Sequence, residues 1–180
     1  MIKEKTVVID SDKLIRTVSR IAHEIVERNG DLKSIVLVGV LRRGATFAKM
    51  LKEQIKSFEG ADVAMGELDI TLYRDDLTEI DVDPQVKKRE IGVPVAGKNV
   101  IICDDVIFTG RTARAAMEAV LAFGRPATIQ LAVVVDRGHR ELPIKPDYIG
   151  KNIPTSLSEV ISVKFTEFDG ENCVAICENV

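Results

Sequence analysis

Two acids side by side, Asp104 and Asp105, close the apolar run of "VIICDDVIFTGRT", and Thr109-Gly110-Arg111-Thr112 follows after a short apolar spacer. A hydroxyl-rich turn with a glycine, set between a strand end and a helix start, offers a phosphate backbone N–H groups, two hydroxyls and a positive dipole end. Adjacent carboxylates repel each other and repel that phosphate unless a cation lies between. A ligand whose hydroxyls the acids can accept from, together with Mg2+, meets both conditions. The same residues also read as a strand ending in solvated aspartates beside an ordinary helix cap. A second loop, "GVLRRG" at residues 39–44, brackets Arg42 and Arg43 with glycines after another apolar run. Backbone amides and guanidinium forks in such a turn suit a polyanion. Two such loops on one sheet edge suit a ligand with phosphates at both ends.

The elements that position these loops alternate along the chain. Residues 10–30, "DSDKLIRTVSRIAHEIVERNG", predict a helix capped by Asp10 or Ser11 and closed by Asn29-Gly30, with Leu14, Ile15, Val18, Ile21, Ala22, Ile25 and Val26 at helical spacing. Residues 34–40 are a continuous apolar run of the kind buried on both faces of a parallel sheet, and residues 45–55 follow as a helix. Residues 63–73 predict a strand; residues 74–95 are charged, carry prolines and predict a long functional excursion. Residues 98–106 predict a strand, 110–124 an alanine-rich helix, and 128–136 another buried strand. Residues 137–156 read as irregular, and a final pair of strands, 161–165 and 174–176, flanks a hairpin-like turn at "FDGEN". The pattern predicts an α/β fold with a mainly parallel central sheet flanked by helices, in one domain spanning residues 1–180.

Composition sets the outer limits. With 46% hydrophobic and 29% charged residues the chain is an ordinary globular one rather than a disordered one. No apolar run approaches the roughly 18 residues that span a bilayer, and "MIKEKTVVID" lacks a signal-peptide core, so the expected address is the cytoplasm with no membrane partner. The three cysteines, Cys103, Cys173 and Cys177, form no CxxC pair and are expected as buried thiols. A net charge of −3 argues against indiscriminate nucleic-acid binding but leaves room for a local basic patch.

A ribose joining a phosphate cradle to a pyrophosphate loop describes 5-phosphoribosyl 1-pyrophosphate (PRPP). The stretch 100–112, with its apolar residues, acid pair, spacer and TGRT loop, resembles the PRPP-binding motif of type I phosphoribosyltransferases. Together with "RIAHEIVERN", "ELDITLYRDDL", "GRPATIQLAVVVDRGHRELPI" and "DYIGKNIPTS", the chain from about residue 13 to 158 is similar to the bacterial pyrimidine operon attenuation regulators, a family that is also a uracil phosphoribosyltransferase. The resemblance implies the type I phosphoribosyltransferase fold, with a small hood and a flexible loop. It implies that Asp104 and Asp105 take the ribose hydroxyls, directly or through Mg2+. Thr109, Gly110, Arg111 and Thr112 would bind the 5′-phosphate, Val106, Ile107 and Phe108 would belong to the same PRPP/UMP site, and Leu41, Arg42 and Arg43 would bind pyrophosphate, with both arginines counted among the catalytic residues. Tyr73 and Arg74 would open a loop that closes over PRPP and excludes water. Asp136, Arg137, Tyr148 and Ile149 would form the hood against the base, although Tyr148 reads equally well as a core aromatic.

One departure is informative. Purine-salvage relatives place a third acid three residues after the pair, where this chain has Phe108. Uracil, already acidic at its reacting nitrogen, needs less help with its proton, so the expected acceptor is uracil and the product UMP; a hypoxanthine-type purine phosphoribosyltransferase without RNA binding is the alternative. Arg16, Ser19, Arg20 and His23 share a face of the first helix, and Arg137, His139, Arg140, Lys145 and Lys151 form a second basic cluster. Taken alone, these are solvated charges balanced by Glu24 and Glu27. The resemblance implies instead that they bind an mRNA leader hairpin of the pyrimidine operon when a uridine nucleotide, UMP or UTP, is present. A homo-oligomer, a dimer or larger, would present several copies of the patch.

Overall fold

The computed structural model describes residues 2–70 and 91–179. The predicted loop residues Tyr73 and Arg74, and most of the charged excursion, lie outside the described residues. Strand β1 (Ile2–Ile9) leads to helix α1 (Ser11–Asn29), whose first turn is capped by the Asp10 carboxylate accepting from the Lys13 amide at 2.9 Å. Then come β2 (Ile35–Val40), α2 (Arg43–Glu59), β3 (Ala64–Leu68), β4 (Asn99–Ile107), α3 (Arg111–Ala122), β5 (Thr128–Asp136) and β6 (Tyr148–Asn152). The chain ends with β7 (Glu159–Lys164), the short α4 (Thr166–Asp169) and β8 (Cys173–Asn179).

Five strands form a parallel sheet in the order β3-β2-β4-β5-β6. Strand alternation divides its apolar residues between two cores. Ile35, Leu37, Ile101, Cys103, Ala132 and Val134 meet α1 and α2 on one face. Val36, Val38, Val100, Ile102, Leu131 and Val133 meet the alanine-rich face of α3 on the other. Both faces are covered, which is why these strands read as unbroken apolar runs. From β2 the chain winds one way through α2 to β3, and from β4 it winds the other way through α3 to β5. The reversal falls between β2 and β4, and the crevice beyond their carboxyl ends is where sheets of this kind bind ligands.

A second sheet, β1-β8-β7, is antiparallel and packs Ile161, Val163, Phe165 and Val174 into the core on the α1 face. It is the small hood. The N-terminal residues "IKEKTVVI" form its strand β1, although their polar alternation carries little apolar signal. The tract expected to be irregular contains β6, short and with only Tyr148 buried on it. The turn at "FDGEN" joins the antiparallel neighbours β7 and β8 as expected, and is entered through α4. Among the described residues, the strand expected over 63–73 runs from Ala64 to Leu68, and residues 71–73 lie outside them.

All three cysteines are free and buried, and burial raises each thiol pKa above its ordinary value. No helix among the described residues is long and apolar enough to cross a membrane.

Candidate active site at the sheet reversal

The acid pair sits near the carboxyl end of β4, past its last pairing with β2 and still beside β5. Asp104 Oδ1 accepts from the Asp105 amide at 2.9 Å, and Asp105 Oδ1 accepts from the Val106 amide at 3.0 Å. Each carboxylate thus turns back on the chain and accepts from the amide that follows it. Asp105 is closely surrounded by protein, and this desolvation raises its pKa above the ordinary aspartate value. A hydrogen bond with Asp104 and the positive charge of Arg43 oppose the rise.

After Ile107 the chain makes the loop foreseen as a phosphate cradle. Gly110 stands at φ 95°, the left-handed conformation open to glycine, and hands the chain into α3. The first amides of α3 have no carbonyl before them in the helix and face the loop. A cavity of about 290 Å³ lies there, lined by Asp104, by every residue from Val106 to Thr112, and by Ala113, Leu131 and Val133. The last three were not foreseen. They are apolar floor residues whose only signal was membership of a helix and a strand already assigned to the core.

The loop is held from outside by the segment after β5. The amides of Glu141 and Leu142 donate to the Thr109 carbonyl at 2.9 and 3.2 Å. Arg140 donates to the Phe108 carbonyl at 2.6 Å, to the Ile144 carbonyl at 2.9 Å and to Asp136 at 2.6 Å. Arg111 pairs with Glu141 at 2.8 Å.

The second loop arrives beside the first. The Leu41 amide donates to the Leu68 carbonyl at 3.0 Å, and the peptide bond from Leu41 to Arg42 is cis. Gly44 is buried against β4, where a Cβ would collide with the Cys103 carbonyl oxygen and lie 3.1 Å from the Asp104 Cα. Only glycine lets the start of α2 come that close to the acid pair. Leu41 and Arg42 are exposed. The Arg43 guanidinium, expected on pyrophosphate, turns the other way: it donates to the Val163 carbonyl at 2.6 Å and to both oxygens of Asp169 at 2.8 and 3.1 Å.

On the base side, Arg137 is 6% exposed and its guanidinium lies 4.1 Å over the centre of the Phe108 ring. Its Nε donates to Thr155 Oγ1 at 3.0 Å, and one terminal nitrogen donates to the Ser156 and Glu159 carbonyls at 3.1 and 2.7 Å. The other, Nη1, has no partner among the described residues. Burial lowers the Arg137 pKa, with Glu159 opposing. His139 sets its ring edge to Phe108 at 5.8 Å and donates from Nε2 to the Thr155 carbonyl at 2.6 Å.

Two of the residues expected in the hood lie instead on the edge strand β6 of the parallel sheet. Tyr148 is buried in the core against α1, its hydroxyl donating to Gln130 at 2.6 Å and accepting from Asn29 at 3.2 Å. Of its two readings, the core aromatic is the one found. Ile149 offers its carbonyl to Arg20 at 3.0 Å, on the α1 side of the edge strand.

The two basic clusters fare differently. On α1, Arg16, Arg20 and His23 are exposed and Ser19 is half-buried, so the face exists as expected. Its members are oriented: Arg20 also donates to Glu24 at 2.6 Å and to the Gly150 carbonyl at 2.8 Å, while His23 stacks on Phe58 at 3.9 Å. In the second cluster Lys145 and Lys151 are exposed, with the Lys151 ammonium donating to the Val8 carbonyl at 3.5 Å. Arg137 and Arg140 are internal struts and His139 is tied to Thr155, because the loop that carries them folds back over the cavity.

A resident metal site built wholly of protein groups is not present among the described residues. Two neighbouring carboxylates beside a substrate cavity do suit Mg2+, which commonly binds through one or two carboxylates and completes its shell with substrate oxygens and water.

The chain matches the phosphoribosyl transferase domain family over residues 8–167. It is 50% identical to the bifunctional protein PyrR of Acetivibrio thermocellus over 97% of this chain and 95% of that one. It is 53% identical to the bifunctional protein PyrR of Bacillus pumilus over 98% and 99%. Its fold is similar to a hypoxanthine-guanine phosphoribosyltransferase from Bacillus anthracis, with a TM-score of 0.71 at 24% identity over 98% of this chain and 99% of that one. These matches, with the acid pair and phosphate cradle at the sheet reversal, show that the chain belongs to the phosphoribosyltransferase family and, within it, to the group of the bifunctional PyrR proteins.

Proposed function

We propose that the protein transfers the phosphoribosyl group of PRPP to uracil, giving UMP and pyrophosphate, and that it binds a pyrimidine operon leader hairpin in response to uridine nucleotides. The observation that carries the transferase reading is the single cavity lined by Asp104 and by the whole loop from Val106 to Thr112. The 5′-phosphate takes the amides and hydroxyls of Thr109 to Thr112 at the start of α3. Asp104 and Asp105 accept from the ribose hydroxyls, and the exposed turn at Leu41 and Arg42 receives the pyrophosphate. Asp104 and Asp105 would hold Mg2+ together with the substrate, and the bound ion would neutralise charge on the leaving pyrophosphate.

The bond from ribose C1 to pyrophosphate breaks as the base nitrogen attacks, through an oxocarbenium-like state in which positioning and electrostatics provide most of the acceleration. On the base side, Phe108 stands where a carboxylate would otherwise handle a purine proton. As the uracil N1 proton leaves to solvent, Arg137 Nη1, which has no partner among the described residues, is a fixed donor for a uracil carbonyl and stabilises the negative charge on the base. The RNA reading rests on the exposed α1 face of Arg16, Arg20 and His23, joined by Lys145 and Lys151. Copies of this face in a homo-oligomer would enlarge the surface.

Incubation with PRPP and Mg2+ separates the acceptors. UMP from uracil, with little IMP from hypoxanthine, is the expected result; IMP as the main product overturns the assignment. A gel-shift titration of the leader hairpin with and without UMP tests the second activity, and equal binding in both conditions rejects the nucleotide-sensing role.

A further inference from the structure

The two side chains that clasp Phe108 are both held by one residue. Thr155 is 9% exposed, its Oγ1 accepts from Arg137 Nε at 3.0 Å, and its carbonyl accepts from His139 Nε2 at 2.6 Å. Its hydroxyl and its carbonyl therefore serve the two sides of the same aromatic ring: the guanidinium over the face at 4.1 Å and the imidazole at the edge at 5.8 Å.

We infer that Thr155 is a positioning residue for base recognition, which fixes the plane and register of the Arg137 guanidinium so that Nη1 points to the acceptor base. The inference rests on the uracil transferase reading and adds to it a residue outside the cavity lining. Its physical basis is the fork geometry of arginine. With Nε on Thr155 and the second terminal nitrogen on the Ser156 and Glu159 carbonyls, three bonds lock a planar group, and the direction of Nη1 is determined without a carboxylate clamp. A carboxylate in place of the hydroxyl would neutralise the guanidinium. A neutral acceptor leaves its charge available to the base. The Ser156 and Glu159 carbonyls lie on one side of the group, so loss of the Thr155 acceptor frees it to rotate about them.

The test is a steady-state split between substrates. Thr155→Val keeps shape and β-branching but removes the acceptor; the expected result is a rise of about tenfold or more in the KM for uracil with the KM for PRPP unchanged. Thr155→Ser restores the hydroxyl and should return the uracil KM to the unsubstituted value. Thr155→Ala serves the same purpose as the valine variant if valine packs poorly. Should uracil and PRPP constants rise together, or should serine fail to rescue, Thr155 is only a packing residue and the inference is wrong. An unsubstituted protein that makes no UMP instead refutes the transferase reading itself, so the two failures are distinguishable.

Discussion

Arg43 and Asp169, on opposite sides of the junction between the parallel sheet and the hood, share an ion pair in which one guanidinium nitrogen reaches both carboxylate oxygens, at 2.8 and 3.1 Å. The same guanidinium donates to the Val163 carbonyl at 2.6 Å, and the Asp169 carboxylate also accepts from the Phe165 amide at 2.9 Å. The residue that opens α2 beside the acid pair is thereby bolted to the hood. Arg43→Ala should cost about 1–2 kcal/mol of stability, since the pair is only partly shielded, and should raise the KM for PRPP by loosening the turn at Leu41 and Arg42. Urea unfolding and PRPP saturation curves check this; an unaltered PRPP constant would separate the strut from the site.

Replacing both acids, Asp104→Asn with Asp105→Asn, should lower turnover by about a hundredfold or more while the far-ultraviolet circular dichroism stays the same. Undiminished UMP formation would remove the acid pair from the mechanism.

Asp105→Asn alone should make the protein more stable at neutral pH. Burial raises the Asp105 pKa in the folded chain, so the folded state holds a proton that the unfolded state has released. Stability therefore falls as pH rises from the ordinary aspartate value through the raised one, and above that window the full cost of charging a surrounded carboxylate is present. Asparagine removes the charge and keeps an oxygen for the Val106 amide. A melting temperature at pH 7 a few degrees higher is expected, and a lower one contradicts the stated origin of the shift.

At the first helix the sign is reversed. The Lys13 amide donates to Asp10 and lowers its pKa below the ordinary value. Its capping contribution is complete above about pH 4, the unfolded aspartate value, and disappears as pH falls through the lower folded value. Asp10→Ala should lower the melting temperature at pH 7, and the gap between variant and parent should shrink on acidification. A gap independent of pH would mean that the carboxylate is not the cap.

For the RNA face, Arg20→Ala should weaken leader-hairpin binding about tenfold and leave the kcat for UMP formation within a factor of about two. Equal losses in both assays would show that Arg20 acts through its bonds to the Ile149 and Gly150 carbonyls rather than through RNA. Arg140→Gln should impair catalysis first, because Arg140 braces the Phe108 carbonyl and Asp136 from inside.

What the sequence alone determined is whatever depends on short-range pattern. Unbroken apolar runs specify β2, β4 and β5, since strands covered on both faces need no polar alternation. Helical spacing and a cap specify α1, and the acid pair with its TGRT loop specifies the cradle, whose residues are contiguous and line one cavity. The resemblance to the pyrimidine regulators was legible for the same reason: its motifs are local words.

The tertiary structure alone decided where long side chains turn. Arg43, Arg137 and Arg140 all look like surface cations in the sequence, and each is instead spent on carbonyl, carboxylate or hydroxyl oxygens brought to it by the fold: Val163 and Asp169, Thr155 and Glu159, Phe108 and Asp136. A flexible side chain has no preferred direction until its surroundings supply acceptors, and most of these acceptors lie far along the chain, as Val163 and Asp169 do from Arg43 and Phe108 does from Arg140. Tyr148 follows the same rule, taken into the core by Gln130 and Asn29. Strand β1 was hidden because its pairing is set by β8 at the far end of the chain. Thr155, with no signal of its own, gained its place only when the fold set it between Arg137 and His139.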